Sequence, residues 1–211
     1  MHNSHFNAII SSEAELRTML GTPGELAIRK VQRALDQHAR AFIAQSPFLL
    51  IGTSNEHGNL DVSPRGDLPG FALPLDERTL VIPDRPGNRR IDTLRNILAN
   101  PQVGLLFLIP GIDETLRING RALIARDEVL LERTAVQGKK PKLVIGVEVQ
   151  ECFFHCAKAF RRSKLWNPAQ WPERSSVATL GTILKDQMKI EQATAAQIDC
   201  DLEESYARTM Y

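Results

Sequence analysis

Proline and glycine crowd the middle of this 211-residue chain and leave no room there for long helices. Eight of the twelve prolines fall between Pro47 and Pro110, and eight of the thirteen glycines between Gly52 and Gly120. Over the same stretch the apolar pattern changes from helical spacing to alternation. Phe48 to Ser54 reads as a short strand, and Asn55-Glu56-His57-Gly58-Asn59 has hairpin-turn chemistry. Leu60 and Val62 alternate with Asp61 and Ser63, and Thr79 to Ile82 is another strand. Val103 to Ile109 is apolar throughout and is expected to be buried on both faces. Leu116, Ile118, Ala122 and Ile124 share one face, with Arg117, Asn119 and Arg121 on the other. Leu143, Ile145, Val147 and Val149 repeat that alternation. Six short strands with turn signals between them predict a small antiparallel barrel, a mainly β (α+β) fold flanked by helices at both ends.

Helical periodicity frames this centre. Ser12 and Glu15 have capping-box spacing, and Gly21 with Pro23 stops the first helix. Thr22-Pro23-Gly24-Glu25 opens a second helix with proline at its first position. Ile28, Val31, Leu35 and Phe42 follow as a packing stripe. Near the end, Val177, Leu180, Leu184 and Met188 suit one helix. Leu202, Tyr206 and Met210 suit another, supported by a Glu204–Arg208 pair. Met210 and Tyr211 are expected to dock on a neighbouring surface. The expected organisation is one domain over 1–211: a helical extension to 46, a barrel over 47–150 and a helical extension over 151–211.

Twenty-six Lys and Arg against 25 Asp and Glu leave a net charge of +1, so any basic function has to be local. No apolar run approaches the roughly 18 residues of a membrane span. Met1 to Phe6 lacks the charged and apolar regions of a signal peptide. Three cysteines (Cys152, Cys156 and Cys200) cannot all pair. A cytoplasmic location is expected, with no membrane and no nucleic-acid partner.

Ile82 to Leu98 carries the chemistry. A strand ends at Ile82, Pro83 to Gly87 force a tight loop, and Asn88 is expected to cap a helix whose apolar face is Ile91, Leu94, Ile97 and Leu98, ended by Pro101. Arg89 and Arg90 then sit in the first helical turn, where the dipole disfavours cations. A bound anion relieves the mismatch: unpaired N–H groups and two guanidinium groups make a phosphate site. The alternative is that both arginines are solvated or pair with local carboxylates such as Asp84 and Asp92.

The order strand, Asn-Arg-Arg, helix, Asn100-Pro101, apolar strand across Thr79 to Pro110 resembles the flavin-binding split barrel of the pyridoxamine 5'-phosphate oxidase-like family. Phe48 to Ser54 with its hairpin resembles the first barrel strands. Asp61 to Asp67 resembles the strand beside the flavin, and Pro110 to Ala122 the following hairpin and strand. The similarity covers Pro47 to Ala125 and extends more weakly to Val149. It implies a six-stranded antiparallel split barrel and a homodimer with FMN at the subunit interface.

Transferred by position, the resemblance places Asn88, Arg89 and Arg90 on the family's Ser-Arg-Lys phosphate-binding run. Ser63 and Arg65 face the isoalloxazine edge, and Ile82 and Pro83 meet the flavin. Thr115 stands where many relatives have Gln. A cation near N1 and C2=O raises the flavin's potential, and Arg65 is the first candidate for that role; the alternative is that Arg65 only pairs with Asp67. The implied activity is an FMN-dependent oxidoreductase with a small-molecule substrate and NAD(P)H as a possible electron donor, with no catalytic acid or base named. Pyridoxamine 5'-phosphate oxidase activity itself is not expected, because its arginine- and histidine-bearing C-terminal strand region is replaced here by predicted helices. A non-catalytic flavin-binding, storage or redox-sensing protein is the alternative, and a split barrel using haem or a deazaflavin a third reading.

Weaker patterns remain. Lys158, Arg161, Arg162, Lys164 and Trp166 form a basic aromatic segment; Lys158, Arg161 and Trp166 are placed at the flavin's open face, with a solvated surface as the alternative. Cys152-Phe153-Phe154-His155-Cys156 would need a fourth zinc ligand, with Cys200 the available thiol, and buried thiols are preferred. Lys139-Lys140-Pro141-Lys142 reads as a loop leading into a strand. No two glycines are two apart, so no Gly-x-Gly-x-x-Gly pattern exists, and no Gly-x-Ser-x-Gly elbow occurs. His2, His5 and His57 are not expected to act as bases.

Overall fold

A computed structural model describes residues 5–211; the readings that rest on Met1 to Ser4, His2 among them, lie outside the described residues. Seven strands form one antiparallel sheet: β1 (Phe48–Ser54), β2 (Leu60–Gly66), β3 (Leu73–Pro74), β4 (Thr79–Pro83), β5 (Gln102–Leu108), β6 (Thr115–Ala125) and β7 (Val144–His155). Their order is β2-β1-β5-β6-β7-β4-β3. The expected six strands are all present. The seventh, β3, is two residues ending at a proline, too short to leave an alternating signature. β7 runs to His155, beyond the expected barrel limit at residue 150.

Alternation explains the core. β1 buries Leu49, Ile51 and Thr53 on one face, and β5 buries Val103, Leu105 and Phe107. Leu106 and Leu108 on the other face are half-buried, so the unbroken apolar run of β5 does not bury both faces. The long β6–β7 pairing shifts register at Asn119/Gly120. Glycine is required there, because a Cβ on residue 120 would collide with the Glu148 carbonyl oxygen. In the β1–β2 hairpin, Gly58 supplies the positive φ of 78° that the turn demands.

Helices close the sheet. α1 (Glu13–Leu20) starts at Ser12, whose hydroxyl accepts from the Glu15 N–H, and ends at Gly21. α2 (Glu25–Arg29) begins two residues later than expected, capped by Gly24, with Pro23 outside it. The 28–42 stripe is therefore not one helix. The chain breaks after Arg29, Gln32 bridges to Cys152, and α3 (Gln37–Gln45) restarts at the Asp36 cap. Leu35, Ala39 and Ile43 enter the core, whereas Ile28 is exposed.

α4 (Asp92–Ala99) lies across β1 and β2. Thr93 Oγ1 donates to Asp61 Oδ2 at 2.8 Å, Asn96 Nδ2 to Thr53 Oγ1 at 3.0 Å, and Asn100 Nδ2 to Ser54 Oγ at 2.8 Å. α5 (Glu128–Arg133) packs Leu131 on Val81 and Val144. After β7 come α6 (Lys158–Ser163), α7 (Leu180–Met188) and α8 (Ala195–Thr209), the last two packed on each other. Thr194 and Gln197 form a full capping box at α8. Val177 precedes α7, which is capped by Thr179. No described helix is long and apolar enough to cross a membrane.

Candidate functional site

The loop from Asp84 to Ile91 joins β4 to α4 and forms one wall of a cleft of about 1200 Å³. Residues 63–66 of β2, the 139–143 loop and the end of α8 supply the others. The size suits a small-molecule or cofactor ligand. Its electrostatics are lopsided: eight cationic side chains line it against two carboxylates, Asp84 and Asp92. In a chain of net charge +1, that is a local excess of positive charge at one place.

The carboxylates are already engaged. Asp84 Oδ1 accepts from Arg65 Nη1 at 2.9 Å, both side chains being largely buried. Burial pushes the Asp84 carboxyl above its usual value, against the pull of the Arg65 guanidinium. Arg65 Nε is buried and bonds to nothing among the described residues. A buried guanidinium N–H at a cleft wall costs free energy until an acceptor arrives. Asp92 accepts from Arg90 Nε at 2.7 Å on the surface. Arg89 and Lys142 make no ion pair or hydrogen bond among the described residues.

Asn88 does not cap the helix. Its Oδ1 accepts from the Arg90 N–H two residues on, at 3.0 Å, closing a side-chain turn. α4 begins four residues later at Asp92, preceded by Ile91 with φ 55°. Arg89, with φ 61°, is also left-handed. Arg89 and Arg90 therefore occupy a turn before the helix rather than its first helical turn, and for Arg90 the pairing with Asp92 is the alternative that holds. Two left-handed non-glycine residues cost roughly 1–3 kcal/mol each, a strain that gathers where a loop is shaped for a ligand.

The other expected site residues divide into two groups. Ser63, Arg65, Pro83, Asn88, Arg89 and Arg90 all line the cleft. Ser63 Oγ donates to Asp61 Oδ2 at 2.9 Å, in a cluster with Thr93. Arg65 pairs with Asp84, not with Asp67. Ile82 points into the core with no exposed surface. Thr115, Lys158, Arg161 and Trp166 do not line the cleft. Thr115 is buried where β6 pairs with the end of β7, opposite His155, whereas the cleft adjoins Pro83, paired with Val144 at the start of β7. Arg161 Nε donates to Asp113 at 3.1 Å and Trp166 Nε1 to the Ile112 carbonyl at 2.9 Å, pinning α6 and its following turn on the β5–β6 connection.

Several cleft residues were not expected. Arg85 pairs with Asp67, whose side chain is 1% exposed, and donates through Nη2 to the Thr134 carbonyl at 2.8 Å. Lys139, Lys140, Lys142, Arg208 and Tyr211 also line it. Arg85 stands inside the run singled out for its prolines. The others come from segments distant in sequence, whose convergence no local pattern records.

No group of three or more His, Cys, Asp or Glu among the described residues has a metal-binding arrangement. Cys152 is buried in β7, and its thiol is pushed up to about 11, chiefly by desolvation. Cys156 is exposed and lowered, first by a hydrogen bond from the Lys158 backbone N–H and then by the Lys158 charge. With a disulfide reagent at pH 8, Cys156 and the exposed Cys200 are expected to react quickly, Cys156 first, and Cys152 only on unfolding. Mass mapping of labelled peptides checks the order; early labelling of Cys152 would contradict its burial.

No curated protein matches the chain. Among solved structures, HupZ of Group A Streptococcus is 18% identical, covering 56% of this chain and 92% of its own, with a TM-score of 0.47. A Clostridium acetobutylicum protein related to general stress protein 26, of the pyridoxinephosphate oxidase family, is 14% identical, covering 56% and 85%, with a TM-score of 0.43. An F420 reductase is 18% identical, covering 55% and 94%, with a TM-score of 0.40. The family model for pyridoxamine 5'-phosphate oxidase matches residues 35–156, more than half of the chain, from the residue that opens the core to the end of β7. That span contains the whole antiparallel sheet and the strained arginine loop, and on it the chain belongs to the pyridoxamine 5'-phosphate oxidase family, with its split-barrel fold.

Proposed function

We propose that the cleft binds FMN and that the protein is an FMN-dependent oxidoreductase acting on a small molecule. The observation that carries this reading is the concentration of cations in the cleft, among them a buried Arg65 Nε–H awaiting an acceptor. Bound FMN would supply two-electron redox chemistry. Arg89, unpaired and held at the loop apex, is the principal phosphate ligand, and Asn88 shapes the turn that presents it. Arg90 shares its charge with Asp92 and contributes less. Arg65 offers its free N–H toward the ring edge, while Asp84 holds the guanidinium in place.

The site is completed by a second copy of this chain. Thr115, Lys158, Arg161 and Trp166 cannot reach the cleft of their own chain, because they lie at the far end of the 12-residue β7. A homodimer with the cofactor at its interface brings that end against the neighbour's cleft. Leu60 and Val62 on β2 and Leu98 on α4 stand exposed beside the cleft elements, apolar surface that an interface would cover.

The visible spectrum of the purified protein and the mass of the released cofactor test the reading. Flavin absorption with the mass of FMN, and reduction by NADPH or NADH followed by reoxidation, are expected. Failure to take up FMN overturns it, and FMN bound with no turnover leaves a flavin-binding protein that is not an oxidoreductase. Arg65→Ala is expected to lower the flavin's potential by about 30 mV, the equivalent of roughly 1.4 kcal/mol for a two-electron couple. Dye-equilibrium titration reads the shift, and an unchanged potential removes Arg65 from the tuning role.

A further inference from the structure

Arg208 departs from the simplest helical pairing. Glu204 stands four residues before it on α8, a spacing that supports ion pairs. No such pair forms: Glu204 is instead approached by Cys200 Sγ at 3.9 Å, and Arg208 has no ionic or hydrogen-bonded partner among the described residues. It lines the cleft that Arg89 and Lys142 also line without partners. Three unpaired cations around one cleft repel one another, and the arrangement is relieved by an anion between them.

What holds Arg208 there is Tyr211. Its hydroxyl donates to Asp67 Oδ1 at 2.8 Å, its carbonyl oxygen accepts from Lys139 Nζ at 3.1 Å, and its ring lies 5.8 Å from the Arg85 guanidinium. Those two hydrogen bonds are the ones that tie residues 179–211 to the barrel among the described residues. Asp67 is itself held by Arg85 and by the Leu68 N–H, so Tyr211 is anchored to a buried side chain that already has two partners.

We propose that Arg208 is an anion-binding residue of the cleft and Tyr211 its positioning residue: the Tyr211 anchor holds α8 across the opening so that Arg208 meets a phosphate-bearing ligand. This deepens the flavin reading, since the cleft is the same, but requires only that the ligand be anionic. The phosphate belongs either to the cofactor or to a second ligand beside it, and the experiment separates the two.

Full-length wild type, Arg208→Gln and Tyr211→Phe are titrated calorimetrically with FMN, riboflavin and inorganic pyrophosphate. Arg208→Gln is expected to weaken one anionic probe about tenfold, the loss of one charge-assisted hydrogen bond, while riboflavin affinity stays unchanged. If the cofactor's phosphate is the partner, FMN binding falls. If a second ligand is, FMN binding holds and pyrophosphate binding to the FMN-loaded protein falls. Tyr211→Phe keeps the ring over Arg85 and removes the Asp67 bond; it is expected to weaken the same probe and to speed amide exchange in α8. Affinities for both anions unchanged in Arg208→Gln overturn the proposal, as does a wild type that binds neither. Unchanged exchange and affinity in Tyr211→Phe overturn the positioning role. A wild type that takes up no flavin but binds pyrophosphate through Arg208 ends the flavin reading and leaves this one standing.

Discussion

Arg85→Met is expected to lower stability by about 3–5 kcal/mol, because it strands a buried carboxylate. The Asp67 side chain is 1% exposed and Arg85 is 15% exposed, so water cannot replace the lost guanidinium. The Leu68 N–H and the Tyr211 hydroxyl still donate to Asp67, but neither carries a charge. Methionine fills much of the arginine's stem volume, which separates the charge effect from a packing loss. Urea unfolding reads the change as a shift in midpoint at constant slope. Adding Asp67→Asn removes the stranded charge while keeping an acceptor for both remaining donors, and the double variant is expected to regain about half of the loss or more. A single-variant loss under about 1 kcal/mol would show that the pair is solvated and that the wall of the cleft is not built on it. The same network joins β2, the β4–α4 loop, the end of α5 and Tyr211, so the variant is also expected to loosen the cleft.

The strands β1 and β5 were legible as short apolar runs bounded by turn residues, although the unbroken run in β5 hid its alternating burial. In β1 and β5 the apolar residues at every second position are the ones in the core, and the ends fall within a residue of where the pattern stops. The helix after the arginine loop was legible in its existence and not in its start. Asn88 caps either a helix or a side-chain turn, and sequence alone carries no sign that Arg89 and Ile91 adopt left-handed φ, a conformation costly for any residue but glycine. The 28–42 stripe misled for a related reason: apolar residues can keep helical spacing across a break, and here Leu35 and Ile43 enter the core while Ile28 on α2 stays exposed. Charge partners were the least legible part. Arg65 had a carboxylate two residues away in Asp67, yet residues two apart share a face only while the strand continues, and β2 ends at Gly66. Asp67 turns instead toward Arg85, and Arg65 finds Asp84, a pairing decided by the tertiary crossing of β2 and the β4–α4 loop. Tyr211 was expected to dock, and does; Met210 stays exposed.

Loss of FMN affinity on removing the loop arginines is the second large effect. Arg89→Ala is expected to weaken FMN by about 10- to 100-fold, since one charge-assisted hydrogen bond contributes roughly 1.5–3 kcal/mol and Arg89 gives up no protein partner to make it. Arg90→Ala should cost less, because that guanidinium already bonds Asp92 on the surface and must share itself with the phosphate. The double variant is expected to lose more than Arg89→Ala alone, with Asp92 then left as an unbalanced anion at the start of α4. Stability should move by no more than about 0.5–1 kcal/mol, as both side chains stand in an exposed turn outside the core. Riboflavin, which lacks the phosphate, supplies the control: its affinity is expected to stay within about twofold of wild type. Fluorescence-quenching titrations of both flavins against all three variants check the pattern. An unchanged FMN affinity in Arg89→Ala removes the phosphate from this loop, and an equal loss for riboflavin means that the turn has been deformed rather than a ligand contact deleted. Because the affinity difference between the two flavins isolates the phosphate, the ranking Arg89 over Arg90 tests whether the strained turn, and not the helix behind it, grips the anion.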